Sequence, residues 1–421
     1  MFYLSESIYK LISRIAFNLL AIFIYRLGAA LTIPGINPKL IDTNILSDKE
    51  NLLSILNRYS GGEFEGSIFV LGVGPYITAS IICQMIFSIF PILIQKKKEN
   101  PSIVAEWNRY LMIPIAFAQG LYTITELYRI DRLSPDFNVI GNISLLEFYF
   151  LGTLSIVTGM CFLVFLGEQI TTHGIGNGIS VIITANIISK ILSDSKILLS
   201  KTALLYNFIF IIILFTFFIV FIEISQRNIK VIFPHKISSG ELESNQKAEI
   251  PLKINQNGVL PPILANNLFM GSLFVYKQLI NFFPFIAKFS FSNQISDFIF
   301  AVIVFILSYT YLEISLDCED IAKRLQSYPL TLIRGIRPGE NTVTFLKEIS
   351  FQLCTLGSIY IIFVDMSPQV ISTVFLEGIN HKLLGTSLLI VVTVIIDIIS
   401  KCSTYLLPVR EQLLTKKPEK K

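Results

Sequence analysis

In a chain of 421 residues, 52% are hydrophobic and only 15% are charged, with a mean hydropathy of +0.64 and a formal net charge of +4. Soluble globular chains carry about a quarter of their residues as charges. This composition excludes a soluble globular protein and describes a polytopic membrane protein.

A helix needs about 20 apolar residues to cross about 30 Å of hydrocarbon. Ten runs are predicted to cross, in chain order 15–31, 68–94, 111–128, 145–166, 179–192, 204–222, 259–274, 295–314, 349–364 and 383–399. The first ten residues are broken up by Ser5, Glu6, Ser7 and Lys10 and the first apolar run leads into more membrane protein, so no cleavable signal peptide is expected. Residues 53–94 form an apolar stretch interrupted by Gly61, Gly62 and Glu63 and again by Gly72, Gly74 and Pro75, after which a helix is predicted to run on. Backbone left unpaired in hydrocarbon costs several kcal/mol per group, so such breaks belong where the chain is buried in protein or lines a water-filled cavity. The stretch points to a pore or transport pathway.

Lysine and arginine concentrate on the inner face of membrane proteins. With the N-terminus inside, 22 of the 34 basic residues fall on inner segments and 11 on outer ones, counting Lys190 at the outer end of the fifth run, and Arg26 lies within the first run. Ten spans with both termini inside satisfy this bias, whereas an odd number would place the basic tail outside. The second run of each five-run half starts with an interruption, GSIFVLGVGPYI (66–77) and INQNGVLPPILANN (254–267). Paired broken segments at matching positions mark a transport site between repeats, although glycine and proline are common in membrane helices generally.

Two inner loops are too large to be mere connectors. Residues 223–258 hold two short β-type runs, RNIKVIF and AEIPLKI, around a polar middle, the pattern of a protruding hairpin. Residues 315–348 hold a short amphipathic helix, LDCEDIAKRLQ, and then Arg334, Arg337 and Lys347. This loop reads as a basic docking surface or as a solvated positive-inside loop.

The chemistry-bearing residues are sparse. Three histidines (His173, His235, His381) and five cysteines (Cys83, Cys161, Cys318, Cys354, Cys402) lack metal-ligand or C-x-x-C spacing, which leaves the cysteines as small core residues. GIGNGIS (174–180) matches neither a dinucleotide fingerprint nor a Walker loop. Its glycines instead allow a tight re-entry into the fifth run, where Ile179 and Ile183 lie one turn apart. No Ser/His/Asp or Cys/His set shares a depth, so no enzyme and no cofactor are expected. Ion-coupled carriers need ionisable groups inside the membrane. The runs hold few, chiefly Arg26 and Asp397, both near ends, with Glu126, Glu223 and Glu313 at edges. A secondary small-molecule transporter with inverted repeats is therefore the alternative, and a pathway lined by aliphatic residues, sealed by dewetting, is the main reading.

Six stretches together resemble the SecY family, the channel subunit of the Sec protein translocase: TIPGIN (32–37), SGG…SIFVLGVGPYITASII (60–82), FLGEQITTHGIGNGIS (165–180), IPLKINQNGVLPPILA (250–265), GIRPGEN (335–341) and LLGTSLLIVVTVIID (383–397). They occur in the family order and span nearly the whole chain. The resemblance implies an all-α membrane protein of ten transmembrane helices, in two pseudo-symmetric five-helix halves (1–200 and 201–421) around a central hourglass channel. Its implied function is to pass unfolded precursor proteins across the membrane and to release hydrophobic segments sideways into it.

By the same resemblance, a hydrophobic pore ring falls on Val73, Ile77, Ile179, Ile183, Ile263 and Ile390. A plug helix falls at about 57–66, including Asn57, Tyr59, Ser60, Gly61, Gly62 and Phe64. Residues Arg227, Arg334 and Arg337 would meet docking partners. The implied partners are a SecE-type small subunit, a SecG-type subunit, a SecA motor or ribosome on the N-terminal side, and precursors with signal sequences. The sequence departs from the family pattern at Glu63 and Glu65 in the plug, at Asn228, at Asn266 and Asn267, and at Arg334, where a proline is usual. Abundant Ile, Asn and Lys resemble the AT-rich coding bias of organelle genomes, so a plastid thylakoid membrane is the expected location, with a bacterial plasma membrane as alternative.

Overall fold

A computed structural model describes residues 2–36, 66–100, 102–133, 144–198, 202–232, 248–256, 258–265, 268, 293–316, 318–326, 332–333, 336, 339–375 and 384–415. The described chain runs α1 (Phe2–Ala29), α2 (Gly74–Ile89), α3 (Pro91–Glu99), α4 (Ile103–Leu133), α5 (Leu145–His173), α6 (Gly178–Leu198), α7 (Thr202–Ile224), β1 (Gln226–Ile232), β2 (Ala248–Lys253), α8 (Asn293–Ser315), α9 (Cys318–Gln326), β3 (Leu332–Ile333), α10 (Glu340–Phe375) and α11 (Leu384–Thr415). It is a helical, multi-span membrane protein with one small sheet. Among the described residues, five helical segments are long and apolar enough to cross a membrane: Tyr9–Ala29, Leu145–His173, Phe298–Gln326, Glu340–Ser367 and Gly385–Leu406. Counting α2 with α3 as one broken span brings the number to six.

The second predicted run, 68–94, is not a single helix. Residues 68–73 form turns, and α2 begins at Gly74 with Pro75 in its first turn, where proline lacks only an N–H that would be unpaired anyway. At the other end Phe90 takes an extended conformation (φ −92°, ψ 114°) before Pro91 opens α3. The chain bends there by 109°. The cause is local: a proline ring drives the residue before it out of the helical region. The seventh predicted run, 259–274, is described only over 259–265 and at 268.

Helix α5 shows how the spans pack. Ser144 caps its N-terminus by accepting from the Glu147 N–H, and it ends at Gly174. One face is buried through Phe148, Ile156, Met160 and Leu163, while Leu146, Phe150, Leu154 and Phe165 are exposed. A helix apolar on both faces belongs in hydrocarbon. Small residues let its neighbours approach closely: a Cβ on Gly159 would lie 2.6 Å from the Ile68 carbonyl oxygen, and Gly152 lies against Ile124.

The chain divides into two compact units, one of Met1–Leu205 with Ile390–Lys421 and one of Tyr206–Leu389. In the first, Ile33, Val70, Ile124, Leu127, Phe148 and Ile156 build one core cluster, and Ala79, Met112, Ala116, Met160 and Val164 another. In the second, the predicted hairpin is present: β1 and β2 pair antiparallel with Arg227 opposite Leu252 and Ile229 opposite Ile250. β3, contributed by the other large inner loop, pairs with the far end of β1 through Val231 and Ile333, giving the order β2-β1-β3. The two loops thus share one sheet. Its inner residues Ile229, Val231 and Leu252 pack with Cys318 of α9 and with Leu346, Ile349 and Leu353 of α10.

Candidate functional site

Val73 and Ile77 stand one turn apart at the start of α2, the Ile77 N–H donating to the Val73 carbonyl at 3.2 Å. Both side chains are buried, at 5% and 9% exposure. The turns before them are tied to the end of α1. Ile33 N–H donates to the Gly66 carbonyl (2.8 Å) and Ile68 N–H to the Leu31 carbonyl (2.9 Å). Gly66 (φ +66°) and Gly72 (φ +54°) adopt the left-handed conformation this reversal requires, which costs glycine nothing. Gly66 and Gly72 are thus the points at which the described chain turns on its approach to α2.

Ile179 and Ile183 open α6 directly after the GIGNGIS turn, and both are half-buried. A Cβ on Gly167 would lie 3.0 Å from the Ile179 Cγ1, so Ile179 leans over α5 at that glycine. Gly178 allows the turn itself: its N–H donates to the Thr171 hydroxyl at 2.9 Å, and any Cβ there would strike the Gly167 carbonyl oxygen. Asn177 caps α6 by accepting from the Ile179 N–H at 3.2 Å. Ile390, 8% exposed, lies on α11. Ile263 is half-buried in a short helical segment after Gly258 (φ +61°). Val73, Ile77, Ile179, Ile183 and Ile390 belong to the first compact unit and Ile263 to the second.

Arg227 is exposed on β1. Arg334 and Arg337 lie outside the described residues, as do Asn57, Tyr59, Ser60, Gly61, Gly62 and Phe64 of the expected plug.

Two polar clusters went unread in the sequence. On α1, Asn18 makes a two-way contact with the backbone of Ile175, its Nδ2 donating to the carbonyl (2.9 Å) and its Oδ1 accepting from the N–H (3.2 Å). One turn earlier, Arg14 donates to the Gly174 carbonyl (3.2 Å) and to the Tyr405 hydroxyl (2.6 Å), its guanidinium lying 4.9 Å from the centre of that ring. The sequence marks Asn18 as a polar residue inside the first apolar run but does not identify its partner. In the second unit, Asn255 Nδ2 donates to Glu223 (2.7 Å) and to the Gly258 carbonyl (3.2 Å). Glu223, expected at a span edge, is only 7% exposed, and Asn255 5%. Between α4 and α5, Arg109 grips Glu168 through several N–H···O contacts of 3.0–3.2 Å. Both partners are substantially exposed, so this pair contributes under about 1 kcal/mol. Among the described residues, no group of three or more His, Cys, Asp or Glu could hold a metal ion.

A family model described as SecY matches residues 67–399. The protein translocase subunit SecY of Buchnera aphidicola subsp. Schizaphis graminum is 32% identical over 440 residues, covering 97% of this chain and 95% of the relative. The protein of the same description from Haemophilus influenzae is 30% identical over 429 residues, covering 97% and 94%. A solved structure, described as one in which the plug domain of a SecY protein stabilises the closed state of the translocation channel and maintains a membrane seal, matches with a TM-score of 0.63. It is 18% identical and covers 94% of this chain and 92% of that one, a likeness of fold.

Proposed function

The chain belongs to the SecY family, and from that premise we propose that it is the central subunit of a protein-conducting channel. Unfolded precursor chains pass through it across the membrane, and hydrophobic segments leave it sideways into lipid. The observation that carries this reading is the likeness to translocase subunits over 97% of the chain, which takes in every candidate ring position. The ordered break before α2 supports it physically, because irregular backbone at membrane depth belongs beside a cavity.

In this reading ten helices cross the membrane in two five-helix halves, 1–200 and 201–421. Support comes from α1, α4, α5, α6, α7, α8, α10 and α11, which fall on predicted runs, and from the bent pair α2–α3 on another. Val73, Ile77, Ile179, Ile183, Ile263 and Ile390 form the constriction around the passing chain, and residues 57–66 close it at rest. The sheet is the inner docking platform for a SecA-type motor or a ribosome, with Arg227 exposed on it and Arg334 and Arg337 close in sequence to β3. A SecE-type subunit, and a SecG-type subunit, complete the assembly. The Buchnera and Haemophilus relatives are bacterial, which supports a bacterial plasma membrane. The plastid expectation rests on composition alone and gains nothing from them.

Reconstitution tests the reading. Proteoliposomes holding the chain with its small subunit are expected to take up a signal-bearing precursor when a SecA-type motor and ATP are supplied. Uptake of a small solute driven by an ion gradient, with no precursor uptake, would overturn it in favour of a coupled carrier.

A further inference from the structure

The GIGNGIS turn is gripped from two helices far away in sequence. Arg14 and Asn18 of α1 hold Gly174 and Ile175 by hydrogen bonds. Ile398 of α11 lies against Gly176, where a Cβ would meet its Cγ1 at 3.2 Å. Tyr405 of α11 ties back to Arg14 by its hydroxyl and its ring. Gly176 is left-handed (φ +98°) and Gly178 admits no side chain, so the turn has one shape and little freedom to relax. Ile175 is almost wholly buried. The basic-residue distribution puts the start of α1, the 167–178 loop and the end of α11 on the same, inner face, so the three segments meet at one depth.

The turn leads directly into the start of α6. Gly178 N–H is fixed on Thr171, Ile179 N–H on Asn177, and Ile179 rests on Gly167. Displacing Gly174 and Ile175 therefore moves the start of the helix that bears Ile179 and Ile183, because no flexible link separates them.

We propose that Arg14 and Asn18 are positioning residues that clamp the 174–178 turn against α1 and α11 and thereby hold Ile179 and Ile183 in the closed constriction at rest. The clamp rests on the assignment of those two residues to the ring. Its release, by movement of α1 or α11 when a chain enters, lets the start of α6 withdraw.

The test is the resting ion current of the chain, reconstituted with its small subunit in planar bilayers without precursor. Arg14→Ala and Asn18→Ala are each expected to raise it about tenfold, the shift in a closed–open equilibrium that accompanies loss of a hydrogen bond from a charged or buried group. Arg14→Lys keeps a donor for the Gly174 carbonyl and is expected to leak less than Arg14→Ala. Tyr405→Phe, which keeps the ring and loses the hydroxyl, is expected to fall between wild type and Arg14→Ala. Ile183→Gly serves as the reference for a weakened ring. Wild-type current in both alanine variants while Ile183→Gly leaks overturns the clamp. A lowered melting temperature with unchanged current likewise assigns Arg14 to stability alone and overturns it. If Ile183→Gly does not leak, residues 57–66 and not the ring carry the resting seal, and a clamp that acts through Ile179 and Ile183 is overturned.

Discussion

Glu223 and Asn255 form a buried polar contact whose energetics are one-sided. An Asn–carboxylate hydrogen bond contributes modestly in net terms, but removing one partner leaves the other buried and unpaired. Asn255→Ala is therefore expected to cost about 2–3 kcal/mol, seen as a lowered thermal unfolding midpoint of the detergent-solubilised protein. Glu223→Gln, whose amide oxygen still accepts from Asn255 Nδ2, is expected to cost less. An Asn255→Ala protein as stable as wild type would show that water or a rotated side chain replaces the bond. Neither this pair nor the Asn18 contact with Ile175 was legible in the sequence. Hydropathy reports how deep a residue sits along its own helix, whereas these bonds join residues 32 and 157 positions apart. The glycines were more legible: Gly72 and Gly178 stand out as interruptions, and their reasons are a left-handed φ and a backbone approach.

At the scale of elements, apolar run length located most helices because the bilayer sets a minimum length for them. It missed the bend between α2 and α3, since a run of apolar residues continues through Ile94 regardless of direction. The signal was Phe90-Pro91, and the rule that the residue before proline leaves the helix was the one needed. Pro91→Ala is expected to let α2 extend. Spin labels at positions 80 and 95 would then separate toward ~22 Å, the length of an unbroken helix of that span at 1.5 Å per residue, from the shorter distance that a 109° bend imposes. An unchanged distance would mean that packing around Phe87 and Trp107, which meet edge to face at 5.7 Å, holds the bend without the proline. The hairpin of β1 and β2 was legible from its alternating runs around a polar middle. The pairing of β3 with β1 was not, since a strand of two residues joined from about a hundred positions away leaves no local pattern.

For the whole molecule, composition determined the class, because a surface this rich in exposed Phe, Leu and Ile is stable only in lipid. The resemblance of six motifs in order carried the family reading, and the match over residues 67–399 agrees with it. Division into units shows something that run-counting did not: from Ile390 onward the last helix packs with the first unit, through contacts such as Arg14 with Tyr405. The central claim is that a polypeptide passes the constriction. Its most direct measurement is crosslinking of a stalled secretory precursor to a photoreactive group placed at Ile77 or at Ile390. Adducts that depend on a signal sequence are expected at both positions. No adduct at either position, together with solute uptake by the purified protein alone, would contradict the claim.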